Sequence, residues 1–364
     1  DEEQVIADGF ARIAPRVALP VLVQLYNLYT NLRRGSTQHR LVIDKAGMGT
    51  VADASRYTRT QVQLGLQAIE NGFAARLENT KIYTPDGMDI YPPTGVGKLI
   101  MPLGNRNSSQ SLDGLCRFSR VPLHEGAHKI IRLFVYWDSP ADIDLSLMLY
   151  DAKGEPLGGV WYGDQQVDDY AYHSGDVTDG TGGAWEFIDL NIAEALAQKV
   201  RYAIPTVHLY AGYGGTHVHG PQECPCQKLY RQERTLADVN DLFVGFTMVP
   251  RAGAGKDVHE VSKVRTKFML TSAGRGSLPL IFDLRERTVT VTDVGLRGYI
   301  NIVESARTVQ AMLETFRHHR PMTVANYLAL TWANVVVTPN EADICLEPTV
   351  ASLSQLYLQN TSPQ

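Results

Sequence analysis

Asp142 and Asp144 stand two apart in DIDLSLM, a run that alternates polar and apolar residues. Asp164, Asp168, Asp169, Asp176 and Asp179 follow among Gly163, Gly175, Gly180, Gly182 and Gly183. So many carboxylates in one loop beside two strand-borne aspartates repel one another unless water, counter-ions or a bound cation screens them. An all-oxygen set suits the hard cation Ca2+. The glycines fit that use, because a coordination loop turns its oxygens inward through backbone angles open mainly to Gly. The spacing is not the twelve-residue EF-hand pattern, so a solvated acidic loop that keeps a β-protein soluble stands as the alternative to a calcium loop.

A second constellation pairs His217 and His219 with Cys224 and Cys226. Four such ligands suit a tetrahedral Zn2+ site, but zinc sites generally separate paired cysteines by two or more residues so that both sulfurs reach one ion. An exposed loop with incidental His and Cys is the better reading. His173, Ser174 and Asp176 do not form a triad, because triad members approach from different parts of a fold. His173 is expected instead to orient the acidic loop through a ring hydrogen bond. Elsewhere there is no Gly-x-Ser-x-Gly elbow, no His-Glu-x-x-His helix and no dinucleotide fingerprint, and GNRNSSQS lacks the Lys-Ser/Thr ending of a phosphate loop. The expectation is a protein without catalytic activity.

These residues need elements to position them. Leu133, Val135 and Trp137, then Ile143, Leu145 and Leu147, recur at period two and predict two strands with one buried face. Tyr202–Tyr210, FVGFTMV, VRTKFMLTS and the hairpin SLPLIFDLRERTVTVTDV supply further strands. Before them, Val5, Ile6, Phe10 and Ile13, then Val17, Val21, Leu22, Leu25, Leu28 and Tyr29, have helical spacing, with a break near Pro15. Val62, Leu66, Ile69, Phe73 and Leu77 predict another helix. After Gly295, IVESARTVQAMLETFRHH is amphipathic, and a second segment starts at Thr323 as N-cap. The fold class expected is α+β, with a mainly helical segment over 1–95, a β-sandwich over 96–295, and a helical segment and tail over 296–364.

Composition narrows the partners. The 364 residues carry a net charge of −5 with scattered Lys and Arg, which excludes the basic stripe that nucleic acid demands. No apolar run reaches the length of a bilayer span. The start DEEQVIADGF is acidic where a signal peptide is basic, and its lack of Met points to processing or to a missing upstream part. Cys116, Cys224, Cys226 and Cys345 are too few and too dispersed for a disulfide framework, so a reducing cytoplasm is expected.

The motifs also carry a resemblance. DIDLS at Asp142–Ser146, HSGD at His173–Asp176 and GAWEFIDLN at Gly183–Asn191 resemble the TerD family of tellurium-resistance and stress-response proteins. MPLGNRNSSQSL and RFSRVPL resemble its larger, multi-part relatives. The resemblance implies a TerD-like β-sandwich, flanked by helical segments, that binds Ca2+ through loops at one end. It also implies a non-enzymatic scaffold in a stress-response system, with protein partners in a complex or a homo-oligomer. Position by position, it carries metal ligation to Asp142, Asp144, Asp176, Glu186 and Asp189. One departure stands out: where simple family members continue with a longer acidic run, this chain has Asp179, Gly180, Thr181, Gly182, Gly183 and Ala184. That departure supports the alternative of a structural or assembly subunit, of a virion or other large particle, with degenerate ion sites. The tyrosines and Trp161 near the loop favour, more weakly, a glycan-binding module.

Overall fold

The computed structural model describes residues 2–33, 39–44, 47–53, 57–78, 89–101, 118, 120–123, 129–210, 235–249, 266–296, 302–318, 321–331, 336, 339–342 and 344–345. The His217, His219, Cys224 and Cys226 constellation and the GNRNSSQS stretch lie outside the described residues. In chain order, α1 (Glu2–Ile13), a 3-10 turn and α2 (Leu19–Arg33) lead to β1 (His39–Ile43) and β2 (Gly49–Asp53). Then come α3 (Arg59–Glu78), β3 (Ile90–Tyr91), α4 (Thr94–Gly97), β4 (Arg120–Pro122), β5 (Ile130–Trp137), β6 (Asp142–Tyr150), β7 (Pro156–Val160), β8 (Gln166–Val167) and β9 (Ala171–His173). The rest are β10 (Ala184–Asn191), α5 (Ile192–Ala197), β11 (Tyr202–Tyr210), β12 (Phe243–Val249), β13 (Thr266–Met269), β14 (Gly276–Asp283), β15 (Thr288–Leu296), α6 (Ile302–His318), α7 (Val324–Thr331) and β16 (Ile344–Cys345).

The chain divides into two compact units, one made of 1–40, 53–105 and 315–364, the other of 41–52 and 106–314. In the first of these units the two ends of the chain share one core. Its residues include Leu22 and Val23 of α2, Ile69 and Phe73 of α3, and Met322, Tyr327 and Leu328 from the C-terminal part. The Phe73 ring meets Tyr26 and Tyr327 edge-on, with centroids 6.3 and 6.1 Å away. Asn27 ties the two ends by accepting the Met322 N–H at 2.5 Å. Amphipathic helices of this length are marginal alone, so each end buries its stripe against the other. Pro15 sits in the 3-10 turn that separates α1 from α2. Thr323 caps α7, its Oγ1 accepting the Asn326 N–H while Asn326 Oδ1 accepts the Thr323 N–H.

The second unit is built on two six-stranded sheets, β13-β12-β5-β10-β9-β8 and β4-β15-β14-β11-β6-β7. All described pairings within them are antiparallel. One core joins both sheets. Ile131, Leu133, Val135 and Trp137 of β5 and Ile188 and Leu190 of β10 face Ile143, Leu145, Leu147 and Leu149 of β6 and Val207 of β11. Alternation along a strand fixes the rest: if Leu145 points between the sheets, Asp142, Asp144 and Ser146 point to the other face of β6. With its helices and its pair of antiparallel sheets, the chain is α+β.

Candidate metal centre

β6 brings Asp142 and Asp144 to one face, two residues apart on the same strand, and the segment after β9 brings Asp176 to them. One carboxylate oxygen from each lies within 4.8 Å of the others. Two oxygens bound to a single Ca2+ lie no more than about 5 Å apart, given Ca–O distances of about 2.3–2.6 Å. Asp144 is buried, Asp142 half-buried and Asp176 exposed, so the cluster opens to solvent on the Asp176 side. Asp142 Oδ1 is a buried oxygen without a hydrogen-bond partner among the described residues.

Electrostatics follow from that crowding. Burial, then Asp176 and Glu186, pushes Asp142 from 3.8 to about 7. Asp144 rises to about 8 through burial first, then Asp142, Glu186 and Asp176. Three negative groups with an orphaned oxygen are what a divalent cation would relieve, and the all-oxygen donor set fits Ca2+ rather than a softer metal.

Glu186 and Asp189 are placed differently. Glu186 is not among the grouped ligands. It shares the inward face of β10 with Ala184, Ile188 and Leu190, whereas Asp142 and Asp144 face away from that core. Its two oxygens accept backbone N–H groups instead, Oε2 from Leu145 at 2.9 Å and Oε1 from Val177 at 3.0 Å. Asp189, three positions along the strand, points to the opposite face of β10. There it accepts from Arg132 Nε and Nη2 at 2.7 Å each, and the Phe187 ring lies 4.1 Å from the guanidinium carbon. Both partners of this pair are buried. The Asp189 carboxylate thus serves an ion pair on the face of β10 opposite Glu186.

His173 does orient the acidic loop, through both ring nitrogens. Nδ1 accepts the Gly175 N–H at 3.0 Å, which leaves the ring proton on Nε2, 2.9 Å from the Leu145 carbonyl oxygen. Gly175 adopts φ +109°, a turn in the region that favours glycine. Nε2 also lies 3.6 Å from Glu186 Oε2. Arg132 was not anticipated, although a lone Arg within IIRLFVYW signals a buried partner, because a charge in an apolar strand must be paired.

The end of the loop is fixed by packing. Gly182 N–H donates to Asp138 Oδ1 at 3.0 Å, and Asp179 Oδ1 accepts from Thr181 N–H and Oγ1 at 2.9 and 2.7 Å. A methyl group at Gly180 would collide with Nε1 and Cδ1 of Trp137, and Trp137 is fully buried and held by the Ala141 carbonyl at 2.8 Å. Gly180→Ala is expected to cost about 1–3 kcal/mol by overpacking, seen as a lower denaturant midpoint at unchanged m-value.

No family model matches the chain, and no curated protein matches it. Among solved structures, the chain is similar to a homologue of the telluride resistance protein TerD from Streptomyces coelicolor, at 14% identity over 49% of this chain and 95% of that one, with a TM-score of 0.36. It is also similar to a protein of unknown function, at 15% identity over 47% of this chain and 93% of that one, with a TM-score of 0.32. No helix among the described residues is long and apolar enough to cross a membrane.

Proposed function

We propose that the protein is a non-catalytic scaffold that binds Ca2+ through Asp142, Asp144 and Asp176, of the kind that serves tellurium-resistance-like stress responses. The observation that carries this reading is the convergence of three carboxylates, from a strand and a separate loop, on one oxygen-lined spot where burial and mutual repulsion raise the pKa values of Asp142 and Asp144. Bound there, the ion would supply positive charge to the three carboxylates. The occupied end of the sandwich would then meet protein partners in a cytoplasmic assembly. The TerD-like motifs DIDLS and HSGD support the same reading.

Calorimetric titration with Ca2+ at pH 8 tests it. One saturable site is expected for the native chain, with affinity at least 100-fold weaker in Asp176→Asn. A native chain that yields no binding heat overturns the proposal. Because ligands must lose their protons before they bind metal, affinity is also expected to fall as pH drops below the raised values of about 8 and about 7. The expected loss between pH 8 and pH 6 is at least about tenfold, and titrations in buffers of different ionisation enthalpy would register the released protons.

The alternative, an assembly subunit with degenerate sites, draws on the Asp179 carboxylate, which is committed to its own turn. It predicts no Ca2+ heat in any variant, together with a large native assembly on size exclusion.

A further inference from the structure

Past the end of β7, β6 has an open edge. β7 pairs with β6 only from Leu147 to Tyr150, while on the other side β11 pairs along the whole of Asp142–Tyr150. Among the described residues, the Leu145 peptide groups directed away from β11 therefore have no strand partner, and a buried strand edge left open costs free energy at each unmade hydrogen bond. Two side chains from the opposite sheet fill the gap. Glu186 Oε2 accepts the Leu145 N–H and His173 Nε2 donates to the Leu145 carbonyl, at 2.9 Å each. The same two side chains hold the loop from their other ends, Glu186 Oε1 at the Val177 N–H and His173 Nδ1 at the Gly175 N–H. Both are 0% exposed.

The result is a double bridge from the open edge of β6 to the loop. Leu145 follows Asp144 directly, and Gly175 and Val177 flank Asp176 on either side. Each bridge therefore fixes the separation between Asp144 and Asp176 through one intervening side chain, independently of any ion.

We infer that His173 and Glu186 are positioning residues that hold the Asp176 loop at β6 ahead of ion binding, so that the Ca2+ affinity of the site is set by this clamp as well as by its three carboxylates. The inference rests on the cation reading above and deepens it. Ion binding then adds charge neutralisation to a preformed loop rather than ordering the loop.

Three variants divide the clamp. His173→Asn keeps a side-chain acceptor near the Nδ1 position and loses the reach to Leu145. His173→Gln keeps a donor near the Nε2 position and loses the acceptor for Gly175. Glu186→Gln turns one accepting oxygen into a donor facing a backbone N–H. In Ca2+ titrations at 25 °C, on variants whose circular dichroism matches the native protein, each is expected to raise Kd by about 10–100-fold, as loss of outer-shell support does at metal sites. A purely structural role would lower the melting temperature and leave Kd unchanged, and that outcome overturns the inference. Native protein that binds no Ca2+ removes the cation reading itself, a result distinct from native binding with unaltered variants. Hydrogen exchange on the ion-free native chain guards against misfolding of the variants. The Gly175 and Val177 amides are expected to be protected, and exchange at the rate of an unstructured peptide would contradict a preformed clamp.

Discussion

Replacing Asp144 by Asn abolishes Ca2+ binding and, in the ion-free protein at pH 9, raises the melting temperature by several degrees. The two halves of this expectation share one cause. Asp144 is buried beside Asp142, Glu186 and Asp176, and its pKa climbs from 3.8 to about 8. A carboxyl whose folded-state pKa exceeds its unfolded value contributes stability that is fully present below about pH 4 and lost as pH rises through about 8. Ion-free native protein therefore weakens across that window, and the Asn variant, which keeps the Asp142 shift but has one charge fewer to bury, weakens less. The gap is on the order of a few kcal/mol at pH 9 and closes toward pH 4. Saturating Ca2+ narrows the gap, since a ligand at one hundred times its Kd stabilises the native chain by about 2.7 kcal/mol. Thermal melts of both proteins at pH 5 and pH 9, with and without Ca2+, would show the gap open with pH and narrow with the ion. A variant less stable than native in ion-free buffer at pH 9 would contradict it.

Asp189→Ala is expected to do the reverse: a loss of about 3–5 kcal/mol in unfolding free energy with Ca2+ affinity within twofold of native. Arg132 and Asp189 lie directly opposite each other on β5 and β10, joined by two 2.7 Å hydrogen bonds in a buried setting. Truncating one partner leaves the other charge buried without its counterpart, which is the costly case for a buried ion pair. Urea unfolding reports the first quantity and calorimetry the second. An Asp189→Ala chain that keeps its stability but no longer binds Ca2+ would restore Asp189 as a ligand and refute its placement on the far face of β10.

The contrast between these two aspartates shows what the sequence makes legible. Period-two patterning located β5, β6 and β11, but its expectation of one buried face is corrected: all but one residue of each strand is buried, Arg132, Asp144, Ser146, Thr206 and His208 included. It also placed Asp142 and Asp144 together, since residues two apart on a strand share a side. The same rule separates Glu186 from Asp189, three apart on β10, yet motif matching alone treats both as ligands. β8 and β9 escape notice because strands of two and three residues in an acidic, glycine-rich stretch have no alternation to read. β9 exists by pairing with β10, and β8 by pairing with β9. The shared core of the chain's two ends is likewise invisible in local periodicity. The amphipathic spacing of Ile69 and Phe73 marks a buried stripe, but nothing in it says that Tyr327 is what covers it. As for the clamp, His173 is suggested by its position in HSGD. Its second bond depends on where β7 ends, which only the folded sheet reveals.

A crystal structure of the native protein grown with Ca2+, with anomalous diffraction to locate the ion, tests the cation site most directly. The prediction is a single peak at about 2.3–2.6 Å from carboxylate oxygens of Asp142, Asp144 and Asp176, with Glu186 and His173 still bound to the Leu145 peptide groups. Absence of any peak at that spot at saturating Ca2+, or an ion held elsewhere with these three side chains turned apart, would contradict it.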